Sequence, residues 1–331
     1  MSQNSLVTYA AYYGEDDIRM SSSSGAIFSV LAEYALSAKG VVYGVAMTEY
    51  CKDAQFVRIC NINELYRLRG SKYFQARVGD AYKTVENDLK QGKDVLFTGT
   101  GCQINGLKAF LGKDYDNLVC VDVICHGVPS PAVWRKYVEE KEKQLGSKLK
   151  RTEFRCKDNG WETFGMKLVK DNETSIFIPM SKDSFMKMFL KNYTLRPSCY
   201  ECVAKKVKKS DLTIADFWGI DSVAPEMNDG KGTSLVLIRT GKGMDLFDRI
   251  STKLKVKQVT YEEGVRGNPS EYKSVIKPAK RDAFFKDFID ACNNGVCDVG
   301  KLADKYCRES IIIGIKRSFK RILRKKTNLK K

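Results

Sequence analysis

The sequence predicts a mixed α/β fold: parallel strand–helix units around the loops GTGCQ and CHG, an antiparallel strand region after them, and a basic C-terminal helix. Two observations predict it. The apolar runs DVLFTG and LVCVDVIC each enter a loop and then a helix-periodic stretch, INGLKAFL and PAVWRKYVEEKEKQL. That order is the signature of a parallel pair joined by a crossover helix. After Lys150, three strand-like segments (Lys150–Cys156, Thr163–Lys170, Ser175–Pro179) follow at meander spacing. A hydrophobic content of 43% excludes a disordered chain, and no run of about eighteen apolar residues exists to span a bilayer.

Taken in order, SSSSGAIFSVLAEYALSAKG reads as a Ser/Gly loop feeding an amphipathic helix with Ile27, Val30, Leu31, Tyr34 and Ala35 on its apolar face. VVYGVAM and AQFVRIC are strand-like. A helical stretch around Asn63–Leu68 precedes the loop RGSKY and a helix near Asp80–Gln91. The two strand–helix units come next, then the meander and a helix at Ser184–Lys191. RPSCYEC, the basic run KKVKK, the strand LTIADFWG, the turn NDGKG and the strand TSLVLIRT complete the centre. Helices are expected near Met244–Ser251, at Arg281–Asn293 and in the tail. The one sharp boundary falls before about residue 300.

Net charge is +17, but residues 301–331 carry twelve Lys or Arg against Asp304 and Glu309, which leaves +7 for everything before them. So mild a balance over the body is not that of a nucleic-acid surface, and no nucleic-acid partner is expected. In the tail, Ile312, Ile315, Phe319, Ile322 and Leu323 form a helical stripe flanked by cations. Such a helix suits an anionic membrane surface, or packs on the body as a terminal helix with a frayed basic end. The N-terminus has no basic segment followed by an apolar stretch and a cleavage site, so a cytoplasmic protein is expected, with peripheral contact at the inner membrane surface through the tail.

The eleven cysteines are odd in number and, in a reducing compartment, do not form a disulfide framework. Cys199 and Cys202 form a CxxC after Pro197, a pair able to chelate a soft metal from one turn, to act as a redox dithiol, or to be incidental. A metal needs two further ligands. Cys102 follows DVLFTGTG and Cys125 ends LVCVDVIC, so parallel neighbouring strands would present both thiols at one sheet edge. Four such thiolates suit zinc or an iron–sulfur cluster. Cys120 belongs in the core, and Cys51, Cys60, Cys292, Cys297 and Cys307 have no partner pattern; Cys156 is left open. His126, the only histidine, stands beside Cys125 as a proton donor, the candidate catalytic residue, or as a hydrogen-bonded support.

Two glycine-containing loops, Ser22–Gly25 and Thr98–Gly101, open helices, where exposed N–H groups receive anions. With Arg69, Lys72 and the turn Asn228–Ser234 they could line a pyrophosphate; by themselves they are helix caps. Neither carries the GK[ST] ending of a P-loop, and GxGxxG is absent.

SSSSGAIFSVLAEYAL, LRGSKYFQA, VLFTGTGCQINGLKAFL, VDVICHGVPSP, RPSCYECVAKK and LTIADFWGI stand in order over roughly residues 20–290. In these six motifs the chain resembles the coenzyme F420 hydrogenase/dehydrogenase beta subunit family. The resemblance implies a flavoprotein with FAD and one nearby 4Fe–4S cluster. Such proteins pass electrons between iron–sulfur partners and a hydride acceptor, F420 in methanogens or a chlorophyll derivative in plants. It implies Cys102, Cys125, Cys199 and Cys202 as cluster ligands. It places FAD among Ser23, Ser24 and Gly25, the segment Arg69, Gly70, Ser71, Lys72 and Tyr73, the loop Thr98, Gly99 and Thr100 with Gln103, and the turn Gly230, Lys231, Gly232, Thr233 and Ser234. By the same resemblance residues 1–95 form the N-terminal region, 96–300 the C-terminal FAD/iron–sulfur region, and 301–331 the basic amphipathic tail.

Two departures stand out. The ferredoxin-like segment that begins many bacterial relatives is missing, so a separate ferredoxin-like donor or acceptor is expected, beside a small-molecule hydride acceptor. Gly101 replaces the family's proline, which is expected to loosen the loop without removing Cys102. A homo-oligomer is compatible with this reading, as is a link to surface-polysaccharide assembly. The rival from another class is a zinc-stabilised, non-redox binding protein that docks on membrane or nucleic acid through its basic tail.

Overall fold

A computed structural model describes residues 6–308. In chain order its elements are β1 (Val7–Tyr13), α1 (Asp16–Met20), α2 (Ile27–Ser37), β2 (Val41–Met47), β3 (Ala54–Ile59), α3 (Ala81–Lys90), β4 (Val95–Thr100), α4 (Gly101–Leu111), β5 (Leu118–Val123) and α5 (Pro131–Leu145). There follow β6 (Leu149–Cys156), β7 (Gly165–Lys170), β8 (Ser175–Pro179), α6 (Ser184–Leu190), β9 (Leu212–Asp216), β10 (Ser234–Ile238), α7 (Gly241–Ser251), β11 (Leu254–Val259), α8 (Tyr261–Val265), α9 (Arg281–Asn293) and α10 (Val299–Cys307). The mixed α/β expectation holds. The expected helix of the basic tail falls on residues 309–331, outside the described ones.

One eight-stranded sheet runs β11-β1-β10-β9-β5-β4-β2-β3, drawing strands from both sides of residue 95. Its centre is parallel: β2 with β4, β4 with β5 and β5 with β9. The remaining pairs are antiparallel. The expected meander forms a separate antiparallel sheet, β6-β7-β8.

Alternation along the strands splits the core by face. Leu96 points into one layer with α2 and α7, whereas Val95 and Phe97 point into the other with α3 and α4. The small sheet covers a third core in which Trp134, Tyr137, Phe154 and Phe185 are fully buried, each contributing about 2–3 kcal/mol. The Trp134 indole N–H donates to Cys51 O at 2.7 Å, so this burial leaves no orphan donor. Among the described residues no helix is long and apolar enough to cross a membrane.

Two strands escaped the sequence reading. β1 is buried along most of its length, so it shows no period-2 pattern. β11, LKVKQV, does alternate and lies at the sheet edge, its lysines suiting an edge strand.

Register fixes where function can sit. β1, β9, β5, β4 and β2 all end on the same edge of the large sheet, where β10 and β3 begin. Open α/β sheets bind ligands at such an edge.

Candidate functional site

β4 and β5 pair in parallel with Thr100 opposite Val123, so Cys102 and Cys125 emerge side by side beyond their tips. A 3-10 turn, Pro197–Cys199, brings Cys199 and then Cys202 to the same place. All four thiols line one open hollow, together with Thr100, Asp122, His126, Lys205 and Lys208.

Local contacts position three of the four cysteines. The Thr100 hydroxyl lies 3.2 Å from Cys102 Sγ. The Val128 N–H donates to Cys199 Sγ at 3.4 Å, and the Cys202 N–H donates to Ser274 Oγ at 2.9 Å. Gly127 has φ +151°, and a Cβ there would stand 2.9 Å from Leu195 Cδ1 and 3.4 Å from Cys199 Cβ. Only glycine lets the CHG loop pass this close to the CxxC turn. Gly101, expected to loosen its loop, sits in a closed space. It is buried, and a Cβ would meet Asp122 Oδ2 at 2.9 Å and Ala204 Cβ at 3.2 Å.

Burial pushes the Cys125 thiol up to about 12 and raises Cys199 as well, against the pull of Lys205 on Cys125. A metal bound here must displace those protons. Lys205 donates to the carbonyls of Cys125 and Ser270, tying the CHG loop to the chain after the CxxC. His126 Nε2 lies 2.6 Å from Asn192 Oδ1, and its ring meets Phe189 edge-on. Burial lowers its pKa, which favours the neutral imidazole donating to Asn192. His126 therefore belongs to the cysteine hollow.

Three of the four expected FAD segments meet one another at the same edge of the large sheet. The Ser71 N–H donates to Ser23 Oγ at 3.0 Å, Ser24 Oγ donates to Thr233 O at 3.0 Å, and the Gly25 N–H donates to Ser234 Oγ at 2.9 Å. Arg69 reaches Ser29 and Glu33 on α2, and the Lys72 ammonium caps the carbonyls of Arg67, Leu68 and Arg69. Gly70, at φ +78°, makes the turn between them. Lys231 pairs with Asp16. The fourth segment links cradle and hollow. Thr98 donates to Tyr43 O and stands with Leu68 against Gly44. At Thr100, both the N–H and the hydroxyl donate to Gln103 Oε1, and a Cβ on Gly99 would press on the same oxygen.

Sequence reasoning missed the charged residues that fasten this cradle. Lys157 is 3% exposed, and its Nζ donates at 2.8 Å to Arg19 O, Ser24 O and Lys231 O. Arg19, equally buried, donates to Gly232 O and grips Asp229 through two nitrogens while lying over the Tyr12 ring. Nothing in FRCKDNGW or EDDIRM marks these cations as interior; the signal lies in contacts more than a hundred residues apart in sequence.

Burial, reinforced by Arg19, pulls the Lys157 amine from its ordinary value down to about 7. The unfolded chain then binds more protons than the folded one between about pH 7 and the ordinary lysine range, so stability rises with pH there. Thiols begin to oppose this above about pH 8.5. Burial pulls the Lys72 amine down to about 7 as well, so the ligand-free protein should gain urea resistance from about pH 7 to 8.5. Lys157→Met should reduce the rise, and Lys157→Met with Lys72→Met should flatten it. A wild-type urea midpoint that falls over this window contradicts the assignment.

The sequence profile for the C-terminal part of the beta subunit of coenzyme F420 hydrogenase/dehydrogenase matches residues 92–263, and its N-terminal counterpart matches residues 8–83. Among curated proteins none matches the chain. A chain of the xenon-derivatised F420-reducing NiFe hydrogenase complex from Methanosarcina barkeri superposes with a TM-score of 0.54. The match covers 87% of this chain and 93% of that one at 16% identity, a likeness of fold.

Proposed function

From the chain's membership of the coenzyme F420 hydrogenase/dehydrogenase beta subunit family, which makes it an oxidoreductase, we propose that it is an FAD and 4Fe–4S dependent enzyme. It would pass electrons between a ferredoxin-like protein and a small-molecule hydride acceptor.

One observation carries the reading: the thiols of Cys102, Cys125, Cys199 and Cys202 line a single hollow at the edge where the serine–glycine cradle also sits. The donor set fits an iron–sulfur cluster, which takes four thiolates. Around one tetrahedral zinc ion the sulfurs would stand about 3.8 Å apart. Among the described residues no three Cys, His, Asp or Glu side chains group tightly enough to hold a single ion. The choice of a cluster over zinc rests on the family and not on these spacings.

FAD, when bound, exchanges electrons singly with an iron–sulfur centre and in pairs, as hydride, with a substrate. The chain's part is to hold and orient. The N-terminal end of α2, the Ser23 and Ser24 hydroxyls and the Gly230–Ser234 turn would receive the nucleotide's phosphates. Lys157 and Arg19 keep loop and turn together whether or not the nucleotide is present. Neutral His126 stands where it can support the Cys125 loop or hand on a proton.

Cys102 is exposed, so electrons can enter at the surface. Around the CxxC turn, Val203, Val207 and Ile276 are exposed apolar side chains, and Lys206 and Lys209 are exposed cations. That mixture suits an acidic, ferredoxin-like partner. Reduced ferredoxin should bleach the flavin band of the anaerobic holoprotein. The double variant Lys206→Glu/Lys209→Glu should slow bleaching by about tenfold at low salt, a difference that shrinks as salt rises. Wild-type flavin that stays oxidised, with the ferredoxin remaining reduced, contradicts the proposed electron path.

A further inference from the structure

Cys292 and Cys297 have no partner pattern in the sequence, yet the fold gives them each other. Cys292 lies in the last turn of α9. Gly295, at φ +69°, turns the chain back: its N–H donates to Cys292 O at 3.1 Å, and the Val296 N–H donates to Ala291 O at 2.9 Å. That double closure is a Schellman end with glycine in the left-handed position. It returns Cys297 to the end of α9, where the two thiols stand within hydrogen-bonding reach of each other.

The surroundings of the pair are held in place. Both cysteines pack, half-buried, against the core that contains Trp134 and Tyr137. Asp298 caps α10, accepting from the Lys301 N–H at 2.7 Å, and Glu140 on α5 accepts from the Val299 N–H at 2.6 Å. At the far end of α9, Arg281 donates to Leu195 O at 2.8 Å and to Tyr200 Oη at 3.0 Å. Between the cysteines, residues 293–296 are exposed, so they can shift without disturbing the core.

Two adjacent thiols can serve a metal or each other. A metal needs further ligands, and among the described residues no third Cys, His, Asp or Glu joins them closely enough to hold an ion. Neither cysteine belongs to the four-thiol hollow. What remains is the covalent bond, whose first requirement is two sulfurs already near each other. Burial and the neighbouring thiol push Cys297 up to about 12, against the pull of Lys136. Cys297 thus keeps its proton and points it at the Cys292 sulfur, which leaves Cys292 to attack first.

We propose that Cys292 and Cys297 are a thiol–disulfide site, oxidised by a small-molecule disulfide of the glutathione type to a bond that staples the end of α9 to the start of α10. The Cys292 thiolate attacks one sulfur of the oxidant and expels one glutathione thiolate, leaving a mixed disulfide. Cys297 then loses its proton, attacks the Cys292 sulfur and expels the second glutathione. Two protein thiols are oxidised, one disulfide is reduced to two thiols, and the released thiolates take up the protons. The site lies outside the hollow and stands or falls independently of the flavin reading.

The test treats the anaerobic holoprotein with glutathione disulfide, blocks the remaining thiols with iodoacetamide and reads tryptic peptide 287–301 by mass. That peptide, DFIDACNNGVCDVGK, carries both cysteines and no others. The expected product lacks two hydrogens, carries no alkyl group and accepts two after reduction. In Cys297→Ser one glutathione should stay on Cys292, and in Cys292→Ser uptake at Cys297 should be slower by about tenfold or more. Exposed Cys60 reports that the oxidant was active. A wild-type peptide alkylated twice while Cys60 carries glutathione overturns the inference. So does a wild-type peptide that carries glutathione and no internal bond.

Discussion

Replacing Cys199 with alanine should remove iron and sulfide together, taking the protein from about four of each per chain to less than about one. Cys199 is half-buried, and besides the Val128 contact to its sulfur its 3-10 turn is held by backbone bonds from Cys199 to Arg196 O and from Tyr200 to Pro197 O. The fold should therefore survive and flavin should stay bound. What is lost is one of four thiols around one hollow. With the centre gone, reduced ferredoxin should no longer bleach the flavin. Cys60→Ala is the control, since Cys60 is exposed and absent from the hollow. If Cys199→Ala keeps full iron content, the ligand assignment is wrong.

Gly25→Ala should weaken FAD binding by roughly tenfold or more. A Cβ on Gly25 would stand 2.6 Å from Ala11 O and 2.8 Å from Ser234 N, backbone atoms of β1 and β10 that cannot rotate away. The Gly25 N–H also donates to Ser234 Oγ, and its carbonyl accepts from the Tyr13 N–H at 2.8 Å. The added methyl must push the serine loop off the sheet edge. Overpacking of that kind costs about 1–3 kcal/mol, and 1.4 kcal/mol is tenfold in affinity. Gly241→Ala, where a Cβ meets nothing within 4 Å, should leave binding unchanged. Equal FAD affinity in Gly25→Ala and wild type would remove the serine loop from the binding site.

The parallel centre of the sheet was legible because DVLFTG and LVCVDVIC are short apolar runs, each followed by a helix-periodic stretch, and chain handedness leaves little choice for such a pair. That logic also brought Cys102 and Cys125 to one edge before any distance was known. Joining Cys199 and Cys202 to them needed the family resemblance or the fold, since a CxxC by itself does not say where its turn will land. The interior cations were not legible. Arg19, Arg155 and Lys157 look like surface residues in sequence, and their burial depends on carbonyls and rings supplied by distant segments. Gly101 shows the same limit, because the space its missing side chain leaves is closed by Asp122 and Ala204 from β5 and from beyond the CxxC.

The central claim is that the four-thiol hollow and the adjoining cradle hold an iron–sulfur cluster and FAD. Anaerobic purification followed by a visible spectrum, with iron, sulfide, flavin and zinc assays on the same sample, tests it most directly. The expected result is flavin bands over a broad iron–sulfur shoulder, with about four irons, about four sulfides and about one FAD per chain. A colourless protein carrying one zinc and no flavin would contradict it.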